Sequence, residues 1–258
     1  MSSILFSIKD GVGIITLNRP DVLNSFNKEM ALAMQHALDT CANDNSIRCI
    51  FITGAGRAFC AGQDLAEAIA ADGPALQSIV KDHYNPIIER IRTIEKPIVC
   101  GVNGVAAGAG ANIALACDIT IAATNASFIQ AFSKIGLIPD SGGTFTLPRL
   151  IGMQRATAYM MLGDKISAEQ AQQIGMIYKV CVAETCADEA MAIATQLATM
   201  PTLALGLTKR ALNASLTNNL QQQLALEEQL QTTAGKSHDY NEGVNAFLEK
   251  RKPEFIGN

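Results

Sequence analysis

Charge is scarce in this chain. Asp, Glu, Lys and Arg make up 17% of its 258 residues, against about a quarter in typical globular domains, and the formal net charge is −4. No arginine-rich or lysine-rich segment occurs, which excludes a generally basic nucleic-acid surface. Histidine is almost absent: His36, His83 and His238 are far apart and lack metal-ligand spacing. The seven cysteines (Cys41, Cys49, Cys60, Cys100, Cys117, Cys181 and Cys186) form no CxxC pair and are odd in number. That pattern argues against a disulfide framework or a zinc site. Apolar neighbours such as Ile50 and Phe51, Val99 and Val102 predict buried free thiols in a reducing, cytoplasmic compartment. Long apolar runs are missing as well. The richest stretch, 98–123, is interrupted by glycines, Asn103, Asn112 and Asp118, so no membrane span is expected. The start, Met1-Ser2-Ser3-Ile4-Leu5-Phe6, has no basic region followed by a long apolar run, so neither a signal peptide nor a transit segment is expected.

What remains is a hydrophobic chain with glycine-rich punctuation. Hydrophobic residues are 48% of the total, enough for a large core in one large domain or one domain with a small appendage. Such a composition also suits burial of surface in an oligomer. Residues 4–8 and 12–17 read as strands joined at Asp10-Gly11, a strong hairpin signal. From Asn27, Met30, Met34, Ala37, Leu38 and Cys41 share one helical face. Further strands are expected at 47–53, 98–102 and 119–122. Helices are expected at 75–93 and 111–117. The rhythm predicts an α/β core with parallel sheet. Beyond about residue 165 the β signals fade, and helices are expected at 160–177, 187–199, 203–230 and 241–250, the last stopped by Pro253. The expected division is a core at 1–199 and a helical C-terminal region at 200–258 that serves as cover and oligomer contact.

Three glycine-rich segments stand out. The first is Gly54-Ala55-Gly56-Arg57-Ala58-Phe59-Cys60-Ala61-Gly62-Gln63-Asp64-Leu65. The second is Val102-Asn103-Gly104-Val105-Ala106-Ala107-Gly108-Ala109-Gly110-Ala111-Asn112. The third is Gly136-Leu137-Ile138-Pro139-Asp140-Ser141-Gly142-Gly143-Thr144. The second lacks the third glycine of a dinucleotide fingerprint and the Gly-Lys-Ser/Thr of a P-loop. Read from the residues alone it marks close backbone approach or tight helix–strand packing. On the same terms Gln63 is a turn residue and Asp140 an N-cap for a helix beginning near Ser141.

Together with Ile14-Ile15-Thr16-Leu17-Asn18-Arg19-Pro20, Leu23-Asn24, Lys96-Pro97, Ala116-Cys117-Asp118-Ile119 and 247–255, these segments resemble the crotonase superfamily, the enoyl-CoA hydratases and isomerases. The resemblance implies a spiral of ββα turns followed by helices, and a homotrimer or a hexamer of paired trimers. It implies an acyl-CoA thioester as substrate, with no cofactor beyond the coenzyme A that the substrate carries. It places an oxyanion hole at the backbone N–H groups of Gln63 and Ala109. Ala61, Asp64, Leu65, Gly108, Phe132 and Lys250 become candidate substrate-binding residues. Arg57 and Arg251 are further candidates for the coenzyme A phosphates, and Phe247 is expected to pack. Hydratases of the family carry two glutamates, whose places are held here by Asn112 and Phe132. Isomerases use a single acid near the third segment, which implies Asp140 as the catalytic residue. The expected activity is therefore an acyl-CoA isomerase, moving a double bond or rearranging an aryl epoxide thioester to an oxepin. Three alternatives stand beside it: a residual hydratase, an aspartyl nucleophile helped by His83, and a non-catalytic acyl-CoA-binding subunit.

Overall fold

The computed structural model describes residues 2–258. Ten strands alternate with helices: β1 (Ile4–Lys9), β2 (Val12–Leu17), β3 (Cys49–Gly54), β4 (Ala58–Cys60), β5 (Ile98–Val102), β6 (Val105–Ala107), β7 (Ile119–Ala123), β8 (Ser127–Ile129), β9 (Lys165–Ser167) and β10 (Lys179–Cys181). They form two sheets. The larger has the order β1-β2-β3-β5-β7-β10 and the smaller β4-β6-β8-β9. Only β1 with β2 and β8 with β9 pair antiparallel; the other neighbours are parallel.

The hairpin forms where expected. Asp10 and Gly11 both adopt left-handed backbone, at φ 50° and 74°, the geometry whose twist suits a two-residue connection. The register then runs from Ile4 opposite Leu17 to Lys9 opposite Val12. After it the chain repeats one unit three times. β3 and β4, β5 and β6, β7 and β8 each send their first strand to the large sheet and their second to the small one, and helix follows each pair. This is the expected ββα spiral. β5 is buried along its whole length, as parallel strands covered on both faces must be. Each such Ile or Val contributes roughly 1.5–3 kcal/mol on burial.

The first long helix, Lys28–Asn43, begins where Asn27 accepts a bond from the Met30 N–H at 2.9 Å, and it buries Met30, Met34, Ala37, Leu38 and Cys41. All seven cysteines are buried free thiols. The helical reading of 75–93 holds with a modification. Leu76–Ser78 leads into a wide π turn, Ile79–Tyr84, before the regular helix Asn85–Thr93.

The C-terminal third corrects the sequence reading. The expected helix at 160–177 is instead a helix Met153–Leu162, the strand β9, and a helix Ala168–Gln173. A second unanticipated strand, β10, closes the large sheet beside β7. The expected helix at 203–230 is two helices, Thr202–Ser215 and Leu220–Ala234, the second started by a capping box between Asn219 and Gln222. The last helix is His238–Glu249, ended by Lys250 in a left-handed cap rather than by Pro253. The C-terminal helices are anchored to the core at Lys209, whose ammonium meets Asp118 at 2.8 Å.

Candidate active site

Three successive turns of the spiral supply the site. From the first comes the segment after β4. The Phe26 N–H donates to the Gly62 carbonyl at 2.7 Å, and the Asp64 N–H donates to the Phe26 carbonyl at 2.8 Å. This parallel bridge uses the groups flanking Gln63 and turns its own N–H to the opposite side, where no protein acceptor meets it among the described residues. The Gln63 side chain is fixed separately. Its Oε1 accepts from the buried Tyr84 hydroxyl at 2.8 Å, and its Nε2 lies 3.3 Å from Glu67 Oε2. Burial, then the neighbouring Cys60 thiol and the carboxylates of Asp140, Glu67 and Asp64, raise the Tyr84 pKa well above its ordinary value. Tyr84 therefore acts here as a neutral donor. It stands in the π turn, a helix distortion often found at functional sites.

From the second turn comes the helix Ala109–Ala116. Gly108 precedes it at φ 53° and ψ −126°, a backbone region open essentially to glycine alone. Ala109 is the first helical residue, so its N–H has no helical acceptor, and no other acceptor among the described residues meets it. Gly62 brings this amide and the Gln63 segment together. A Cβ on Gly62 would lie 3.0 Å from the Ala107 carbonyl and 3.8 Å from the Ala109 nitrogen, so only glycine lets the strands approach this closely. Gly62 also sits at φ 97°. The result is a pair of free amide donors on adjoining segments, one of them at a helix N-terminus where partial positive charge collects.

The third turn supplies Asp140. Ser141 and Gly142 are both left-handed, at φ 51° and 70°, and the Gly143 N–H closes the turn onto the Asp140 carbonyl at 2.9 Å. The helix Gly143–Ile151 takes Gly142 as its N-cap with no side-chain bond. The Asp140 carboxylate is thus not a cap, contrary to the reading from residues alone. It accepts from the Ser141 hydroxyl at 2.8 Å. Burial pushes its pKa up from the ordinary aspartate value, while the Ser141 hydroxyl and its own backbone N–H pull it partly back. A left-handed serine costs roughly 1–3 kcal/mol, and here it accompanies a half-buried carboxylate. The Phe132 ring packs near Gly108, 3.7 Å from where a Cβ of that glycine would stand.

The two positions that the resemblance matches to hydratase glutamates are both inside the protein. Phe132 is 7% exposed and Asn112 1% exposed. Neither is an acid. The Asn112 amide donates to the Asp140 carbonyl at 2.8 Å.

Other expected site residues fall differently. Asp64 adjoins Gln63, but its carboxylate is committed to Arg19 at 2.8 Å and to the Ala66 N–H at 3.1 Å, starting the short helix Leu65–Ala68. Leu65 is exposed on that helix, and Ala61 is half-buried just before the amide pair. His83 is buried in the π turn, and among the described residues its ring makes no hydrogen bond to Asp140. Arg57 is exposed. Lys250 is exposed at the end of the last helix, with no hydrogen bond joining it to Gln63, Ala109 or Asp140 among the described residues. Arg251 is taken up by Glu242 at 2.6 Å and Glu249 at 2.6 Å, which leaves it no free fork for a phosphate. Phe247 is 83% exposed and does not pack within this chain as expected. Sequence reasoning passed over Tyr84, Ser141 and Gln130. Asn112 carried the clearest available signal, as the one polar residue in an otherwise apolar helix.

Among the described residues no cluster of three or more metal-ligating side chains occurs. The groups on offer are one carboxylate with a raised pKa and two amides without acceptors, on successive turns of the spiral. Residues 7–258 match the enoyl-CoA hydratase/isomerase family. The chain is 52% identical over 260 residues to the 1,2-epoxyphenylacetyl-CoA isomerase of Escherichia coli (strain K12), covering 100% of this chain and 99% of that one. It is 37% identical to the 2,3-dehydroadipyl-CoA hydratase of the same strain, covering 100% of both. The crystal structure of an enoyl-CoA hydratase from Polaromonas sp. JS666 superposes with a TM-score of 0.92 at 36% identity, covering 98% of this chain and 99% of that one. Both reaction types occur among these relatives, but the shared fold and full-length identity are decisive at a coarser level: this chain belongs to the enoyl-CoA hydratase/isomerase family of enzymes.

Proposed function

We propose that the enzyme is an acyl-CoA isomerase with Asp140 as its single acid–base group. One observation carries this reading. Asp140 is half-buried, free of capping duty and raised in pKa, while Asn112 and Phe132 stand where the family resemblance puts the glutamates of a hydratase.

The Asp140 carboxylate removes a proton from the carbon next to the thioester carbonyl. The electron pair passes into the carbonyl, and the resulting enolate oxygen is held by the N–H groups of Gln63 and Ala109. Donors fixed in advance contribute about 2.7–4 kcal/mol each, judged from the deletion of one such donor in another enzyme. With a 3,4 double bond in the acyl chain the intermediate is a dienolate. Protonated Asp140 returns its proton two carbons farther on, and the double bond ends conjugated to the thioester. Nothing is added and nothing leaves, so one carboxylate suffices. Its raised pKa brings base and acid forms nearer in energy at working pH. A 1,2-epoxyphenylacetyl thioester, the substrate in the relative's name, suits the same single carboxylate, because its rearrangement to an oxepin needs no added water. A homotrimer or paired trimers in the cytoplasm completes the proposal, supported by exposed apolar side chains on the C-terminal helices such as Leu212, Leu220 and Leu224.

The test is turnover of a 3-enoyl-CoA and of 1,2-epoxyphenylacetyl-CoA by wild type and Asp140→Asn, with crotonyl-CoA hydration measured in parallel. The expected result is isomerisation lost in the variant by at least about a hundredfold, with little hydration in either protein. Wild type that hydrates crotonyl-CoA faster than it isomerises would reverse the assignment.

A further inference from the structure

The mechanism leaves Asn112 and Gln130 without a task, yet both are 1% exposed beside the catalytic turn. The Asn112 Nδ2–H donates to the Asp140 carbonyl at 2.8 Å, and the Gln130 Nε2–H donates to Asn112 Oδ1 at 2.7 Å. A backbone carbonyl only accepts, so this end of the Asn112 amide must be its NH2, and its oxygen must then face the Gln130 donor. The two amides form a one-way chain running from β8's end through the helix Ala109–Ala116 to the turn that carries Asp140. Gln130 Oε1 has no partner among the described residues. The group is therefore held in place by the bond it gives to Asn112.

Packing reinforces the chain. A Cβ on Gly143 would lie 2.4 Å from Asn112 Nδ2, so the turn from Asp140 to Gly143 rests directly on this side chain. Asn112 sits one helical turn after Ala109, and its own N–H bonds the Gly108 carbonyl at 3.1 Å. The amide donor at Ala109 and the carbonyl of Asp140 are thus both referenced to a single turn of a buried helix. Rigid referencing of this kind governs catalytic geometry, where a misplacement of about 1 Å costs on the order of a hundredfold in rate.

We propose that Asn112, oriented by Gln130, is a positioning residue that sets the distance between the Asp140 carboxylate and the oxyanion donors. The inference rests on Asp140 as the base. In this role Asn112 touches neither substrate nor proton. It holds the strained Asp140–Gly143 turn at one height above the helix, so the carboxylate reaches the α-carbon of a thioester already held by Gln63 and Ala109.

The experiment uses the full-length chain with Asn112→Leu, which keeps the shape and removes both polar ends, and Gln130→Leu, which removes only the orienting donor. Steady-state kcat and KM on a 3-enoyl-CoA, the Kd for the 2-enoyl-CoA product and the thermal melt are measured for each, with Asp140→Asn alongside. The expected result is a kcat lower by roughly 10–100-fold for Asn112→Leu and less for Gln130→Leu. KM and product Kd stay within about threefold of wild type, and the melts stay cooperative. A folded Asn112→Leu with kcat within about threefold of wild type overturns the proposal. So does a kcat loss matched by an equal loss of product binding, and so does failure of both variants to fold, because each makes the pair merely structural. Retained turnover in Asp140→Asn defeats the base assignment itself. Loss there with normal Asn112→Leu defeats only the positioning role.

Discussion

Ala109→Pro removes one backbone N–H from the amide pair and adds a ring at the start of its helix. Proline is well accepted at the first position of a helix, where its missing N–H was never needed. Ala109 occupies that position, and the first helical bond of the turn runs from the Asn112 N–H to the Gly108 carbonyl. Gly108, at φ 53° and ψ −126°, lies in the mirror image of the extended region that residues before proline prefer. The backbone therefore has no reason to refuse proline. The thermal midpoint should stay within roughly 4 °C of wild type, the shift that about 1 kcal/mol produces in a chain of this size. The chemistry has every reason to refuse it. One of two preorganised donors is lost, which costs about 2.7–4 kcal/mol, or 10²–10³ in kcat/KM. The assay follows absorbance of the conjugated thioester formed from a 3-enoyl-CoA, with product Kd measured to separate ring crowding from loss of the bond. Ala109→Gly keeps the N–H and should stay within about tenfold of wild type. Ala109→Pro that melts normally, binds product normally and turns over within about threefold of wild type would refute the oxyanion assignment at this amide.

Three further outcomes follow from the same geometry. Turnover needs the Asp140 carboxylate, whose pKa burial raises and the Ser141 hydroxyl lowers; kcat should fall on the acid side with a midpoint above the ordinary aspartate value, and Ser141→Ala should move that midpoint farther up, so a downward move in the pH profile would contradict the reading. A raised folded-state pKa means that the stability linked to Asp140 is full below the unfolded value and lost as pH climbs through the folded one; Asp140→Asn should therefore melt above wild type at pH 7, with the gap narrowing in acid, and an equal or lower midpoint at pH 7 would count against the burial cost. Lys209 and Asp118 are a mostly buried pair with side chains 7% and 21% exposed; Lys209→Met leaves the aspartate poorly paired and should lower unfolding free energy by about 3 kcal/mol in a urea melt, with a loss below about 1 kcal/mol telling against that anchor.

Local signals carried much of the fold. Asp10-Gly11 made its hairpin legible because both residues tolerate the left-handed backbone such a turn demands. The stripe of Met30, Met34, Leu38 and Cys41 announced its helix because burial follows the 3.6-residue period. β9 and β10 escaped because three residues are too few to show an alternation, and their pairing partners, Ile129 and Ala123, stand far back along the chain. The break between Ser215 and Leu220 hid in a run of leucines, although Asn219 with Gln222 three residues later had the form of a capping box. In the site, the glycines were readable through family resemblance because their backbone demands permit few substitutes, and Asp140 because it is the one acid in the third glycine-rich segment. The amide chain through Gln130 was not. Its members lie 18 residues apart and meet only because β8 and the helix after β6 belong to consecutive turns of the spiral. The occupation of Asp64 by Arg19, 45 residues away, was hidden for the same reason.

That spiral has a kinetic consequence. The two amides and the carboxylate come from three consecutive ββα units, joined by parallel pairings that are distant in sequence. Contacts of this sort must bear the entropy of closing long loops before they return any stability, and folding slows accordingly. A growing chain that has emerged only through the helix Ala109–Ala116 already holds both free amides but not Asp140. Competence should thus arrive late and all at once, when the segment bearing Asp140 docks on a helix formed well before it.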